Sequence, residues 1–425
     1  MQKPFQRIVL PNGMRVIFIP EPQSVAATVL VMVEAGSKYE TKEISGLSHF
    51  LEHMCFKGTK DRPKAIDIAG ELDGMGAEYN AFTSQEWTGY YVKVEKNRAE
   101  KALEVIADLY LNPLFDEAEI EKEKGVVIEE LNMYEDLPQR KVNDIFMELL
   151  YGDQPAGWDI GGNKEIIQTL TREQLLAYRN KHYVASATSI VIAGAFDEKL
   201  FLKKIETLFA SLSNGEKHSK VKTIEHQENP AILLRHKKSD QTHLVLGLRA
   251  FPSNDGRRFA LDVLADVLGG GMSSRLFQRV REELGAAYYV RAGADLYSDH
   301  GYLAVASGVD IKKIDAVVSA IVAELERLTK ELIPEDEFRR SKDHLIGKVL
   351  LGFETSDALA MYYGGQEVLR EPLMSPEELK QKLESVTREE VMAVAKDIIS
   401  NEKLNLAVIG PLEDKSSLAH ILKFN

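Results

Sequence analysis

His49 and His53 stand four residues apart in the run Gly46-Leu-Ser-His-Phe-Leu-Glu-His-Met54. On a helix that spacing puts both imidazoles on one face, one turn apart. At that separation they can share one Zn²⁺. Glu52 is three residues from His49 and adjacent to His53, so it points near the same face. A free carboxylate beside a metal-bound water can act as general base, taking the proton as the water attacks a carbonyl. Gly58, shortly after Phe56, supplies a stop for this helix. Catalytic zinc usually takes three protein ligands and leaves one position for water. The acidic segment 117–135 offers the missing carboxylate. At about 100° per residue, Ile120, Val127, Leu131 and Tyr134 form one apolar stripe. Glu123 and Glu130 fall on its edge, and Glu129 lies opposite with Lys122. Carboxylates on the buried side of a helix are costly unless they serve a cation or a hydrogen-bond network. Glu123 and Glu130 are therefore the two candidates, and Glu130 is the one expected as third ligand.

These residues need rigid elements to hold them, and the 425-residue chain provides an internal repeat. Thr171-Arg-Glu173 opens a helical pattern leading to Ser189-Ile-Val-Ile-Ala-Gly194, and Thr387-Arg-Glu389 opens another leading to Leu406-Ala-Val-Ile-Gly410. Both pairs are separated by 216 positions. A period this long is a duplicated domain and not a solenoid. Residues 211–230 are polar and lack a periodic apolar face, so they read as the seam. Domain one is expected at 1–212, a linker at 213–230 and domain two at 231–425. In the first domain, 15–19 and 26–34 read as strands and 77–84 with 88–94 as a hairpin. Helices are expected near 45–56, 64–73, 97–111 and 117–135. The hairpin excludes a doubly wound parallel sheet. The expected class is α+β, with two homologous domains, each a mainly antiparallel sheet with helices packed on one face.

Composition removes other classes. With 53 Lys+Arg against 66 Asp+Glu the formal charge is −13, which argues against a nucleic-acid binder. No secretory signal is evident in 1–20, and the most apolar stretch, 25–33, is too short to span a bilayer as a helix. The only cysteine, Cys55, excludes an intrachain disulfide. A cytoplasmic protein with no membrane partner is expected.

His-x-x-Glu-His is the inverzincin signature, and the chain resembles the pitrilysin/insulinase family of zinc peptidases along its whole length. It is most similar to the two-domain bacterial members related to the mitochondrial processing peptidase. In that family the third ligand is a glutamate some 76 residues past the motif, and 76 residues separate His53 from Glu130 here. The resemblance assigns Glu123, one heptad earlier, to assisting catalysis or supporting the site. It also implies that Asn80 and Ala81, in Tyr79-Asn-Ala-Phe-Thr-Ser-Gln-Glu-Trp-Thr-Gly-Tyr-Tyr91, bind substrate backbone by strand addition. Leu268-Gly-Gly-Gly-Met-Ser-Ser-Arg-Leu276 resembles the family's glycine-rich loop. Arg281-Glu-Glu-Leu-Gly-Ala-Ala-Tyr288 resembles its Arg…Tyr pair, which would stabilise an oxyanion from the far side. Some relatives carry the arginine two residues earlier, which leaves Arg279 and Arg281 both open.

The second repeat reads as catalytically empty. The equivalents of His49 and His53 are Ala265 and Gly269, and Lys348 stands for Glu130. One zinc per chain is expected, in an endopeptidase for peptides or unfolded segments. The family also implies a homodimer enclosing a chamber, in which Tyr288 serves the partner's zinc site. The alternative is a catalytically silent accessory subunit of the same family.

Overall fold

The aliphatic runs at β2 (Arg15–Pro20), β3 (Ala26–Val33) and β6 (Thr188–Gly194) are buried nearly end to end, as strands covered on both faces must be. The computed structural model describes residues 3–424. These strands join β1 (Gln6–Val9), β4 (Glu78–Thr83) and β5 (Thr88–Glu95) in a sheet of order β1-β2-β6-β3-β5-β4. Only β2 and β6 pair in parallel; every other pairing is antiparallel. Strand β4 forms one edge of this sheet.

Side chains alternate across β3. Val29, Val31 and Val33 enter a large core with α1 (Leu47–Met54), α2 (Ala65–Gly74), α3 (Ala99–Leu111) and α4 (Glu117–Glu135). Leu30 and Met32 face the other way, toward Ala360, Tyr363 and Val368 of the helix Ser356–Val368. That helix comes from the second half of the sequence. It sits close because Gly364 has no side chain: a Cβ there would lie 2.7 Å from Met32 Sδ and 2.8 Å from Leu30 Cδ2. Its Glu367, 2% exposed, meets Arg7 at 2.8 Å and Arg15 at 3.2 Å.

The second sheet repeats the plan. Strands β7 (Ala231–His236), β8 (Thr242–Ala250), β9 (Ala287–Leu296), β10 (Gly301–Val309) and β11 (Leu404–Gly410) take the order β7-β11-β8-β10-β9. This is the order β2-β6-β3-β5-β4 over again, with β7 and β11 as the parallel pair. Helix starts repeat too: Thr171 with Gln174, and Thr387 with Glu390, form reciprocal capping boxes. One face of the sheet packs on helices such as Arg258–Gly269. The other face receives Val142, Ile145 and Phe146 of α5 (Pro138–Tyr151), which belongs to the first half of the sequence.

The expectation of helices on one face thus needs an addition, since a single helix from the other half covers the second face of each sheet. Compactness also divides the chain differently from the linear 1–212 and 231–425 split. One unit runs to Leu131, then takes Asp159–Val221 and Gly352–Ser375. The other takes Asn132–Trp158, Lys222–Leu351 and the chain from Pro376 onward.

Candidate metal centre

Helix α1 buries Leu47, Phe50, Leu51 and Met54 against the first sheet and turns His49, Glu52 and His53 to its partly open face. Its first turn is fixed from below. The buried Glu40 carboxylate accepts from the Gly46 N–H at 2.7 Å and from the Ser48 N–H at 2.6 Å. Its two oxygens satisfy two donors that a helix start leaves without intrahelical partners, while burial pushes the carboxyl up to about 7 against those bonds. Gly46 has φ +91°, and a Cβ would stand 2.6 Å from the Gly161 carbonyl oxygen, so only glycine fits.

Opposite α1 lies α4, whose buried face consists of Ile120, Glu123, Val127 and Leu131. Glu130 Oε2 comes 3.3 Å from His53 Nε2 and 3.7 Å from His49 Nε2. Donor atoms of His49, His53 and Glu130 all lie within 4.8 Å of one another, and no other such His/Cys/Asp/Glu group occurs among the described residues. Two imidazoles and a carboxylate suit Zn²⁺ in number and in type. The local field also calls for a cation. Burial disfavours charge on His53, yet Glu123 and Glu130 outweigh it and push the imidazole up to about 9.

Glu123 is more deeply placed than the edge of the stripe, at 3% exposure. Its Oε1 takes the Nδ1 side of His53 at 2.8 Å, and its Oε2 meets the Lys57 ammonium at 2.5 Å. It therefore stands behind His53, the supporting one of the two expected roles. A carboxylate on Nδ1 fixes the tautomer and aims the Nε2 lone pair at the metal position. Burial would raise the Glu123 carboxyl, but the bonds to His53 and Lys57 prevail and hold it below the ordinary value. Glu52 is the reverse case. Its carboxyl is raised, chiefly by burial, against a 2.6 Å bond from Thr83 Oγ1 and the nearby His53 charge.

Asn80 and Ala81 sit on the edge strand β4, where Asn80 Oδ1 accepts from the Ala81 N–H at 2.9 Å. Beside them is a cavity of about 350 Å³ lined by Phe56, Ala65, Ile68, Ala69 and Tyr79, with Lys57 at its wall. Arg281 and Tyr288 belong to the second compact unit. Tyr288 is 77% exposed, and the Arg281 guanidinium lies 5.6 Å from its ring centroid. Arg279 pairs with Glu283 at 2.5 Å, so Arg281 is the arginine beside Tyr288. Sequence reasoning missed Glu40, Lys57 and Thr83. Strand alternation carried a signal for Thr83 alone, since it falls on the same face of β4 as Tyr79 and Ala81.

Residues 15–163 match the family described as Insulinase (Peptidase family M16), and residues 169–345 match the Peptidase M16 inactive domain. An uncharacterized zinc protease of Bacillus subtilis is 35% identical over 407 residues, covering 96% of this chain and 98% of its own. An uncharacterized zinc protease of Streptomyces coelicolor is 32% identical, covering 97% of this chain and 91% of its own. Among solved structures, a protease from Helicobacter pylori superposes with a TM-score of 0.90 at 22% identity, over 96% of this chain and 99% of that one. A peptidase M16 inactive domain from Pseudomonas fluorescens gives 0.88 at 19% identity, over 96% and 98%. No described helix is long and apolar enough to cross a membrane. With family models matched in both halves and relatives 32–35% identical over nearly its whole length, this chain belongs to peptidase family M16, the insulinase family.

Proposed function

We propose that the chain is a zinc-dependent endopeptidase acting on peptides or unfolded polypeptide segments. One observation carries the reading: His49, His53 and Glu130 converge within 4.8 Å, with Glu52 on the same helix face. These three would hold the ion, one per chain. Zinc supplies a Lewis acid that polarises the scissile carbonyl and lowers the pKa of bound water to about 7. Glu52 then takes the proton of the attacking water and returns one to the leaving amine. Glu123 keeps the His53 Nδ1 proton in place. Asn80 and Ala81 present the open edge of β4 to an extended peptide, which pairs by main-chain hydrogen bonds. The neighbouring cavity receives an apolar side chain of that peptide. Tyr288 and Arg281 donate to the carbonyl oxygen as charge develops on it, in the partner chain's site of a homodimer that encloses a chamber. A cytoplasmic location suits the single buried cysteine.

The silent-subunit alternative is expected to have a broken donor set, whereas here all three donors and Glu52 are in place. Cleavage of an internally quenched, unstructured peptide tests the proposal. Wild-type protein should cleave, lose activity to a chelator and regain it with Zn²⁺. Glu52→Gln should bind zinc without cleaving. An active, zinc-loaded E52Q variant would remove Glu52 as base, and zinc-free wild-type protein without cleavage would favour the silent subunit.

A further inference from the structure

Glu52 has two carboxylate oxygens, and they are not equivalent. Thr83, the last residue of β4, places Oγ1 2.6 Å from Glu52 Oε2. A second hydroxyl, Thr88 Oγ1, stands 3.4 Å from that of Thr83. Each hydroxyl has one proton to give. The Thr88 proton goes to the Ala35 carbonyl at 2.8 Å. An ionised carboxylate only accepts, so the proton between Thr83 and Glu52 is donated by Thr83. Among the described residues, Glu52 Oε1 takes no hydrogen bond.

The surroundings make this arrangement rigid. Ser84 Oγ accepts from the Glu86 and Trp87 N–H groups at 3.2 and 3.1 Å, and the Ser84 N–H bonds the Trp87 carbonyl at 2.8 Å. These bonds close the turn that follows Thr83. The backbone of Ser84 also accepts from the Ser37 N–H at 3.1 Å. The hydroxyl is thus held by a strand, a closed turn and a neighbouring loop, while Glu52 projects from the metal-bearing helix.

We infer that Thr83 is a positioning residue for the base. It fixes the Glu52 carboxylate through Oε2 and leaves Oε1 as the atom that takes the proton of water. The inference rests on the endopeptidase reading and deepens it, because the strand that pairs with the peptide also orients the base. Peptide docking and proton transfer then share one element, the β4 edge.

The test compares wild type, Thr83→Val, Thr83→Ser, E52Q and the double variant E52Q/T83V. Each is assayed with the quenched peptide, and bound zinc per chain is measured. T83V keeps the shape and removes the donor, so kcat should fall about ten- to hundredfold. KM and bound zinc should stay at wild-type values, and T83S should restore most of the rate. With the base already gone, E52Q/T83V should behave as E52Q does, binding zinc without cleaving. Should T83V melt below the assay temperature, Thr83→Ala removes the donor with less crowding and is judged in the same way. A wild-type kcat in T83V would overturn the assignment, as would a change in KM alone, loss of zinc, or a T83S variant as slow as T83V. Zinc kept by E52Q but lost from E52Q/T83V would also overturn it. No cleavage by wild type would instead fell the endopeptidase reading, and this assignment with it.

Discussion

Replacing Glu123 by Gln isolates what the carboxylate behind His53 contributes. The buried oxygen that holds Nδ1 at 2.8 Å keeps an acceptor in Gln, but the negative charge facing His53 and Lys57 is lost. Removing such a partner of a metal-bound histidine costs about 10- to 100-fold in metal affinity. That corresponds to about 1.4–2.8 kcal/mol at 1.4 kcal/mol per tenfold. E123Q should lie at the lower end. Glu123→Ala should lie at the upper end, because it also strips the acceptor from Nδ1 and the partner from Lys57. The loss should depend on pH with a definite sign. Wild-type His53 is pushed up to about 9, so below that value a proton competes with the ion for Nε2. Without Glu123 the imidazole holds that proton less tightly, which offsets part of the loss near neutrality. The zinc-affinity deficit of E123Q should therefore widen as the pH rises toward 9. Competition against a fluorescent zinc chelator across that range measures it. Unchanged zinc affinity with lost cleavage would refute the argument and place Glu123 at the substrate.

Gly46→Ala meets both a left-handed backbone and the Gly161 carbonyl, so it should cost about 1–3 kcal/mol in urea denaturation. Gly76, at φ +64° with open space around it, should lose only about 1 kcal/mol on the same change; equal losses would discredit the steric argument. His182 is buried and pushed down to about 4 from 6.5, first by desolvation and then by Lys181 and His218. The unfolded chain takes up a proton that the folded chain refuses, so this contribution is intact above about 6.5 and is lost as the pH falls toward 4. Wild-type Tm should drop more steeply across that window than the Tm of His182→Gln, and parallel profiles would count against it. Mixed dimers of E52Q and Tyr288→Phe chains should regain activity through one intact site; no recovery would dismiss the shared-site arrangement.

Local periodicity made much of this protein legible. The i,i+4 spacing of His49 and His53 fixes a shared helix face whatever surrounds it, and observed α1 spans Leu47–Met54 within the expected 45–56. The hairpin is found at Glu78–Thr83 and Thr88–Glu95, close to its predicted limits. Helix α4 spans Glu117–Glu135 as expected. A 216-residue repeat forecast two sheets of one topology, and their strand orders agree.

Other features depend on residues brought together from distant parts of the chain. An apolar stripe says that a helix is buried but not on which sheet, so the exchange of α5 and Ser356–Val368 between the halves was not visible in it. Glu123 and Glu130 looked alike on the helix edge; the position of α1 against α4 put one behind His53 and the other between two imidazoles. Thr83 and Glu52 are 31 residues apart, and only the packing of β4 beside α1 turns an ordinary strand hydroxyl into a partner of the base. The sequence by itself determined which groups could do the chemistry, because helical spacing is local. Tertiary structure decided which atom each group faces, because hydrogen-bond partners and burial are set by packing between elements.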